Sequence, residues 1–178
     1  FCDIGGGLVS LLTVDRVSVS RISHPSDRFS AGEYIDAVIS STEDGRIYLT
    51  HRELLGTWEE NASEFESGQT VTGIIRSVEE YGVFVELTPN LAGLAEACPG
   101  VSPGELCSVY IKSIIPERMK IKLVLIDTCG RAPVVPCRYF VDTKKVTHIE
   151  RWTYSPAGCQ KLIETDFQTA GERQTAVR

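Results

Sequence analysis

Two aromatic side chains, Tyr81 and Phe84, lie in a stretch, residues 73–94, whose apolar residues predict two short strands with one buried face. In the second strand, strict alternation turns the apolar residues inward and puts Phe84 and Glu86 outside. A bulge at Gly82 would bring Tyr81 to the same face, because glycine tolerates the bulge conformation. Neighbouring rings on an exposed sheet face can stack nucleobases, so the pattern indicates binding of single-stranded nucleic acid.

Basic side chains are concentrated further along the chain. Residues 110–161 carry 10 basic and 4 acidic side chains, although the net charge of the whole chain is −6. Cations on strands next to the rings could follow a phosphate backbone, whereas the alternative is that each charged run is simply solvated surface. The candidate RNA-binding residues are Tyr81, Phe84, Arg76, Lys112, Arg118, Lys120 and Lys122.

An internal repeat organises most of the chain. Residues 1–11 align with residues 84–94 without a gap, which makes Phe1 the counterpart of the second ring. The same comparison pairs Arg46 with Lys120 in a later strand. Phe1 and Arg46 therefore join the candidate RNA-binding residues. Because the first copy begins inside its own second strand, we interpret the chain as a fragment or processed product.

The strand–turn–strand pattern resembles the S1 RNA-binding domain family, whose repeats occur in a bacterial ribosomal protein and in exoribonucleases. The resemblance covers roughly residues 1–127. It implies five-stranded barrels of the OB type, which bind oligonucleotides on one sheet face. The residues that carry the resemblance are Gly73, Ile75, Val78, the run Tyr81-Gly82-Val83-Phe84-Val85-Glu86-Leu87, and Gly93-Leu94.

Some positions depart from the family pattern. The RNA-facing set of the family includes a histidine, which this chain replaces with Thr13 and Glu96, and a glutamate there would repel phosphate. The set also includes an aspartate, which is replaced by Thr42 and Pro116. Each repeat thus keeps a ring and a cation and loses other polar contacts. Protein docking in place of RNA binding therefore stays open for one or both repeats.

We predict a mainly β protein with two tandem S1-type, OB-fold barrels of five strands, the first lacking its opening strand, and a small C-terminal β-β-α unit. In the linker between the barrels, Trp58 is expected to form interface core rather than to stack on a base. The predicted boundaries are 1–53 for the first barrel, 54–67 for the linker, 68–128 for the second barrel, 129–136 for a further linker, 137–168 for the β-β-α unit and 169–178 for a disordered tail.

The C-terminal unit resembles no known family. The segments Cys137–Val141 and Val146–Tyr154 predict a hairpin, and Ser155 and Pro156 predict the start of a helix, as N-cap and first helical residue. Basic and aromatic residues interleave here, so the unit either extends the RNA-binding surface or uses its aromatic residues as core. The residues of this possible extension are Arg138, Lys144, Lys145, Arg151 and Trp152.

Several classes of function find no support in the sequence. No paired-carboxylate signature, nucleophile elbow, metal-ligand spacing or phosphate loop is present, so we expect no enzyme activity, no metal and no cofactor. The six cysteines form no C-x-x-C pair, and without an export signal we expect reduced thiols in a cytoplasm. No apolar run approaches the roughly 20 residues that a membrane span needs.

We therefore expect a cytoplasmic, bacterial-type RNA-binding protein that acts in translation or RNA metabolism. Its partner would be single-stranded, mRNA-like RNA, bound by base stacking and backbone electrostatics with low sequence specificity. One alternative is a degenerate repeat pair that docks on the ribosome or an RNA-processing enzyme through protein contacts. For Tyr81 and Phe84 themselves, a separate alternative is that they are surface aromatics covered by the C-terminal unit. Another alternative is a regulatory fragment of a larger enzyme.

Overall fold

The computed structural model describes residues 1–167, which form a mainly β structure with a few short helices. The helices are α1 (Val14–Val17) and α2 (Trp58–Ala62), with 3-10 turns at Pro25–Asp27, Arg52–Leu55 and Pro116–Arg118. The strands are β1 (Cys2–Asp3), β2 (Val9–Leu12), β3 (Val38–Glu43), β4 (Arg46–Thr50), β5 (Thr70–Glu79), β6 (Gly82–Thr88), β7 (Leu91–Ala95), β8 (Glu105–Ile115), β9 (Lys120–Arg131), β10 (Arg151–Thr153) and β11 (Glu164–Asp166).

Strands β5 to β9 close into a barrel with the neighbour order β5-β6-β7-β9-β8, which confirms the predicted OB-like barrel. All its strand pairs are antiparallel except β7 with β9. Because side chains alternate along these strands, their branched apolar residues point to the interior of the barrel and form its core. The fully buried members of this core are Ile75, Val83, Val85, Leu91, Val109 and Ile111.

The first repeat forms an open four-stranded sheet with the order β1-β2-β4-β3. Its strands have the same neighbours as β6-β7-β9-β8 in the barrel, including one parallel pair in the middle. In that parallel pair Leu11 lies opposite Tyr48, and in the barrel Leu94 lies opposite Lys122. These are corresponding positions in the internal alignment. The pairing register of the two sheets therefore agrees with the repeat read from the sequence.

The turn between β5 and β6 differs in one detail from the prediction. The expected bulge at Gly82 is wrong: the register shifts between Ile75 and Ser77, so the extra residue is Arg76. Tyr81 is a turn residue, so it is free of strand alternation and reaches the side of the sheet on which Phe84 lies. Gly82 is needed for close packing, because a Cβ there would lie 2.5 Å from the carbonyl oxygen of Ala95.

The C-terminal segment contains no β-β-α unit within the described residues. Residues 137–150 form no strand, and β10 pairs with β11, which occupies part of the predicted helix. Ser155 was predicted to cap that helix, but its hydroxyl accepts a hydrogen bond from the N–H of Ile163, and the N–H of Tyr154 donates to the carbonyl of Ile163. These contacts hold the returning strand instead. The tail predicted for residues 169–178 lies outside the described residues.

Asn90, at the start of β7, joins the parts of the molecule at their junction. Its side-chain oxygen accepts a hydrogen bond from Val19 of the first repeat at 2.9 Å. Its amide group donates to the carbonyl oxygen of Arg52, at the end of the first repeat, and to that of Gly56, in the linker, at 2.8 and 2.7 Å. Its own carbonyl accepts the hydroxyl of Tyr154 from the C-terminal segment. This one buried residue therefore contacts the first repeat, the linker and the C-terminal segment.

Trp58 lies in this junction as predicted, buried in the same core cluster as the barrel residues. The N–H of Trp58 donates a hydrogen bond to the carbonyl of Tyr154 at 3.0 Å. Trp152 and Tyr154 belong to the same cluster, with their ring centroids 5.7 Å apart. The C-terminal segment therefore packs its aromatic residues against the barrel and the linker, which is the core alternative considered for Trp152.

Candidate nucleic-acid interface

The two rings of the β5–β6 turn region lie side by side. Tyr81 is 68% exposed and Phe84 is half-buried, with ring centroids 6.1 Å apart and planes at 88°. This edge-to-face arrangement is favourable for aromatic pairs, and it leaves apolar ring surface open to solvent. An exposed ring pair of this kind can stack with a nucleobase from a single strand.

Cross-strand pairing places a cation on the same surface as the rings. Phe84 lies opposite Ser77 of β5 and Leu94 of β7, and Leu94 lies opposite Lys122 of β9. Side chains that face each other across neighbouring strands lie on one side of a sheet, so these residues form a row across the barrel wall. With strands about 4.8 Å apart, the backbone at Lys122 lies roughly 10 Å from that at Phe84. A lysine side chain spans much of that distance.

The remaining cations of the closing hairpin surround this row. Lys120 is exposed two residues before Lys122 on β9, so the two lysines share a face. Arg118 is exposed in the 3-10 turn that joins β8 to β9. Lys112 is exposed at a register shift in β8, beyond the last residue of β8 that pairs with β5. Lys120 and Lys122 are therefore the cations best placed beside the rings.

Arg76 has a different role from the one predicted. Its Nε and Nη2 donate to the carboxylate of Glu86 at 2.8 and 3.1 Å, and its side chain is only 10% exposed. Both Nη atoms of Arg28 donate to the same carboxylate at 2.7 and 2.8 Å. Glu86 is thus 3% exposed, and the prediction that alternation leaves it outside is wrong. Arg28, from the first repeat, covers this end of the face.

The burial of the Glu86 carboxylate could not be predicted from the local sequence. Arg28 and Glu86 are 58 positions apart, and strand periodicity reports only on which side of the sheet a residue lies. An outward position becomes buried when another segment packs on it. Two bidentate arginine contacts compensate the desolvation of Glu86, and the cluster keeps a net positive charge.

The candidate residues of the first repeat lie on its open sheet. Phe1 precedes β1 and is 94% exposed, and Arg46 begins β4 and is also exposed. They correspond to Phe84 and Lys120 in the barrel. Tyr81 has no counterpart among the residues of this chain, since the alignment begins at Phe1. The described residues therefore contain one platform with two rings, and it is the one on the barrel.

In the proposed extension of the C-terminal segment the ring is buried, whereas the cations are exposed and mostly paired with nearby carboxylates. Trp152 is buried, and the guanidinium carbon of Arg52 lies 5.9 Å from its ring centroid. The basic residues Arg138, Lys145 and Arg151 form ion pairs with Glu64, Asp142 and Asp166, respectively. Lys144 is exposed. This segment therefore offers a weaker case for RNA contact than the barrel face does.

Other kinds of site receive no support from residues 1–167. No group of three or more histidine, cysteine, aspartate or glutamate residues in this part of the chain could hold a metal ion. None of the helices described there is long and apolar enough to cross a membrane. Burial raises the pKa of the Cys107 thiol to about 11, and this side chain donates to the carbonyl of Gly73. Cys107 is thus a structural residue.

The chain is similar to bacterial ribosomal proteins. The small ribosomal subunit protein bS1 of Leuconostoc lactis is 34% identical over 97 residues, which is 53% of this chain and 22% of that protein. The bS1 protein of Rhodopseudomonas palustris is 31% identical over 140 residues, 74% of this chain and 24% of that protein. The chain carries an S1-type domain. The closed barrel, which carries the pair of rings, has the OB-like form of such a domain.

Other comparisons set the limits of this relationship. No model of a known protein family matches the chain. The chain is also similar to a protein that is not ribosomal: a 4-hydroxy-3-methylbut-2-enyl diphosphate reductase of Fusobacterium nucleatum is 28% identical over 123 residues, 67% of this chain and 15% of that enzyme. The chain spans between 22% and 38% of the length of the bS1 proteins it matches.

Proposed function

We propose that this chain binds single-stranded RNA on the outer face of its barrel. Bases stack on Tyr81 and Phe84, while Lys122 and Lys120 neutralise the adjoining phosphates. The observation that carries the proposal is the row across the barrel wall, in which Phe84 and Lys122 are separated only by Leu94. Stacking on aromatic rings tolerates any base, so this mode of binding has low sequence specificity.

The open sheet of the first repeat is, in this proposal, a second S1-type unit arranged in tandem with the barrel. Its support is the shared strand order and the matching register of the two parallel strand pairs. The ion cluster of Arg28, Glu86 and Arg76 sets one end of the RNA-binding face, because it fills the surface below Phe84 with protein groups. The platform is therefore short and accommodates only a few nucleotides.

The cellular role follows from the relatives. Several of them are named as ribosomal proteins, so the proposed role is in translation or RNA metabolism in the bacterial cytoplasm, with mRNA-like RNA and the ribosome or RNA-processing proteins as partners. In this role the protein acts by binding and performs no catalysis of its own. The supporting feature is that the candidate face consists of rings and lysines rather than of a nucleophile with a base.

Titration of fluorescently labelled oligouridylate at several salt concentrations tests the proposal. Tyr81→Ala and Phe84→Ala should each weaken binding about fivefold or more, because one stacked base contributes about 1–3 kcal/mol. Tyr34→Ala is the matched control, since Tyr34 is 101% exposed and outside the barrel. Lys122→Ala should reduce the salt dependence of binding, because one fewer counterion is released from the RNA.

Two results would contradict the proposal: no binding at low salt, or binding that neither ring variant affects. Retention on ribosomes after digestion of RNA, without any affinity for the free oligonucleotide, would support docking through protein contacts instead.

A further inference from the structure

We infer that Glu96 determines the base preference of this RNA-binding face, favouring bases that carry an exocyclic amino group over uracil. The inference rests on the proposed function and adds a preference within the low specificity expected of stacking. It starts from a contradiction on the surface: a platform suited to RNA has carboxylates beside its rings.

The position of Glu96 follows from the pairing of β6 with β7. Phe84 lies opposite Leu94 and Val83 lies opposite Ala95, so the next residue, Glu96, falls beside Gly82. Leu94 and Glu96 are both exposed while Ala95 is buried, as alternation requires. Phe84 and Glu96 are therefore diagonal neighbours on one face, with Cα atoms about 7–8 Å apart. A glutamate side chain at this distance reaches the edge of a base stacked on Phe84.

Gly82 has an exposed carboxylate on each side of it, next to the two rings. On the other side of Gly82 lies its partner in β5, Glu79, which is also exposed. A Cβ at position 82 would lie 2.8 Å from a methyl carbon of Leu94, so the leucine occupies the space of the missing side chain. The floor next to the rings is thus apolar, and it has a carboxylate on each side.

The charges on this face orient a bound strand. Phosphates are repelled by Glu79 and Glu96 at the turn end and are attracted by Lys122 in the row of Phe84. The sugar–phosphate backbone therefore runs on the lysine side, and the base edges point toward the carboxylates. In this arrangement Glu96, which repels phosphate, can form hydrogen bonds with the edges of the bases.

The selectivity comes from hydrogen-bond chemistry. An ionised carboxylate only accepts hydrogen bonds. The amino groups of cytosine and adenine donate, whereas uracil presents a carbonyl oxygen at the position where cytosine has its amino group. Glu96 can therefore accept a hydrogen bond from the amino group of cytosine, whereas at the same position uracil offers only an acceptor. Cytosine and uracil have rings of the same size, so stacking contributes about equally for the two.

The test compares short oligocytidylate and oligouridylate of equal length with the intact chain at one salt concentration and neutral pH. The wild type should bind oligocytidylate about fivefold more tightly, the lower end of the discrimination that one such contact provides. Glu96→Gln should lower this ratio to about twofold or less, because an amide both donates and accepts. Glu66→Gln, an exposed glutamate before β5, removes the same charge away from the rings and should leave the ratio unchanged.

The ratio of affinities separates this inference from the proposed function. Equal affinity of the wild type for both oligomers, or a ratio that Glu96→Gln does not change, would overturn the role of Glu96 while RNA binding stands. A rise in both affinities by the same factor in Glu96→Gln would likewise overturn it, because that is general charge repulsion. Absence of binding to either oligomer would reject the proposed function itself.

Discussion

At the scale of single residues, the clearest contribution of the structure is the environment of polar groups that periodicity alone places in water. Glu86 is buried between Arg28 and Arg76, although its strand position predicted exposure. His51 is also fully buried. Its Nδ1 lies 2.9 Å from the carbonyl of Val17 and its Nε2 lies 3.2 Å from the hydroxyl of Tyr139.

The Glu86 cluster should matter for stability. Glu86→Gln keeps the shape of the side chain but leaves two buried guanidinium groups without their anion. Breaking a buried ion pair in this way is expected to lower the free energy of unfolding by about 3 kcal/mol or more. Urea unfolding followed by tryptophan fluorescence measures the change. Asp166→Asn, which removes an exposed partner of Arg151, should have little effect. Similar stabilities for the two variants would contradict this account.

His51 should make stability depend on pH. The hydrogen-bond partners assign the neutral ring, because Nδ1–H donates to Val17 and Nε2 accepts from the hydroxyl of Tyr139, whose oxygen accepts the N–H of Asp36. Burial lowers the pKa of His51 from its ordinary value of 6.5. Below pH 6.5 the unfolded chain then binds more protons at this site than the folded protein does. The stability from this group is complete above that pH, and it is lost as the pH falls from there through the lower pKa of His51 in the folded protein.

The measurement is the free energy of unfolding in urea on both sides of pH 6.5, for the wild type and for His51→Asn. The wild type should lose more stability on acidification than the variant. The exposed His148→Asn should behave like the wild type. Parallel pH profiles for the wild type and His51→Asn would show that His51 is not the titrating group.

At the scale of elements, the barrel could be predicted and the C-terminal segment could not. The barrel strands have alternating apolar residues and a recognisable turn, which are local features, and the repeat supplied a second copy of the pattern. In residues 137–167 the local sequence is misleading, since Ser155 and Pro156 are typical of the start of a helix. The hydroxyl of Ser155 is instead used by Ile163, and the aromatic residues Trp152 and Tyr154 are drawn into the common core.

This difference gives a prediction for Ser155. Ser155→Ala removes the acceptor of the Ile163 N–H and should lower the free energy of unfolding by about 1 kcal/mol. Hydrogen exchange should become faster at Ile163 and in β11, while the barrel amides stay protected. Faster exchange spread over residues 156–162, with β11 unchanged, would fit a lost helix cap and contradict the described strand pairing.

At the scale of the whole molecule, the junction determines which surface is free. Asn90 hydrogen-bonds to Val19 and Tyr154, which lie 71 and 64 positions away. No local sequence pattern predicts contacts over such a separation. The first repeat and the C-terminal segment together cover one part of the barrel. They leave the surface that carries Tyr81, Phe84 and Lys122 exposed. The alternative in which the C-terminal segment covers the rings is not what the described residues show.

Photo-crosslinking tests the central claim most directly, because it reports which residues touch the RNA. A single-stranded RNA that contains 4-thiouridine is bound to the intact chain, irradiated and digested, and the crosslinked peptides are identified by mass spectrometry. The account predicts that the crosslinks fall on Tyr81 and Phe84, and that they are lost in the double variant Tyr81→Ala, Phe84→Ala. Crosslinks confined to the first sheet or to residues 137–167 would contradict it.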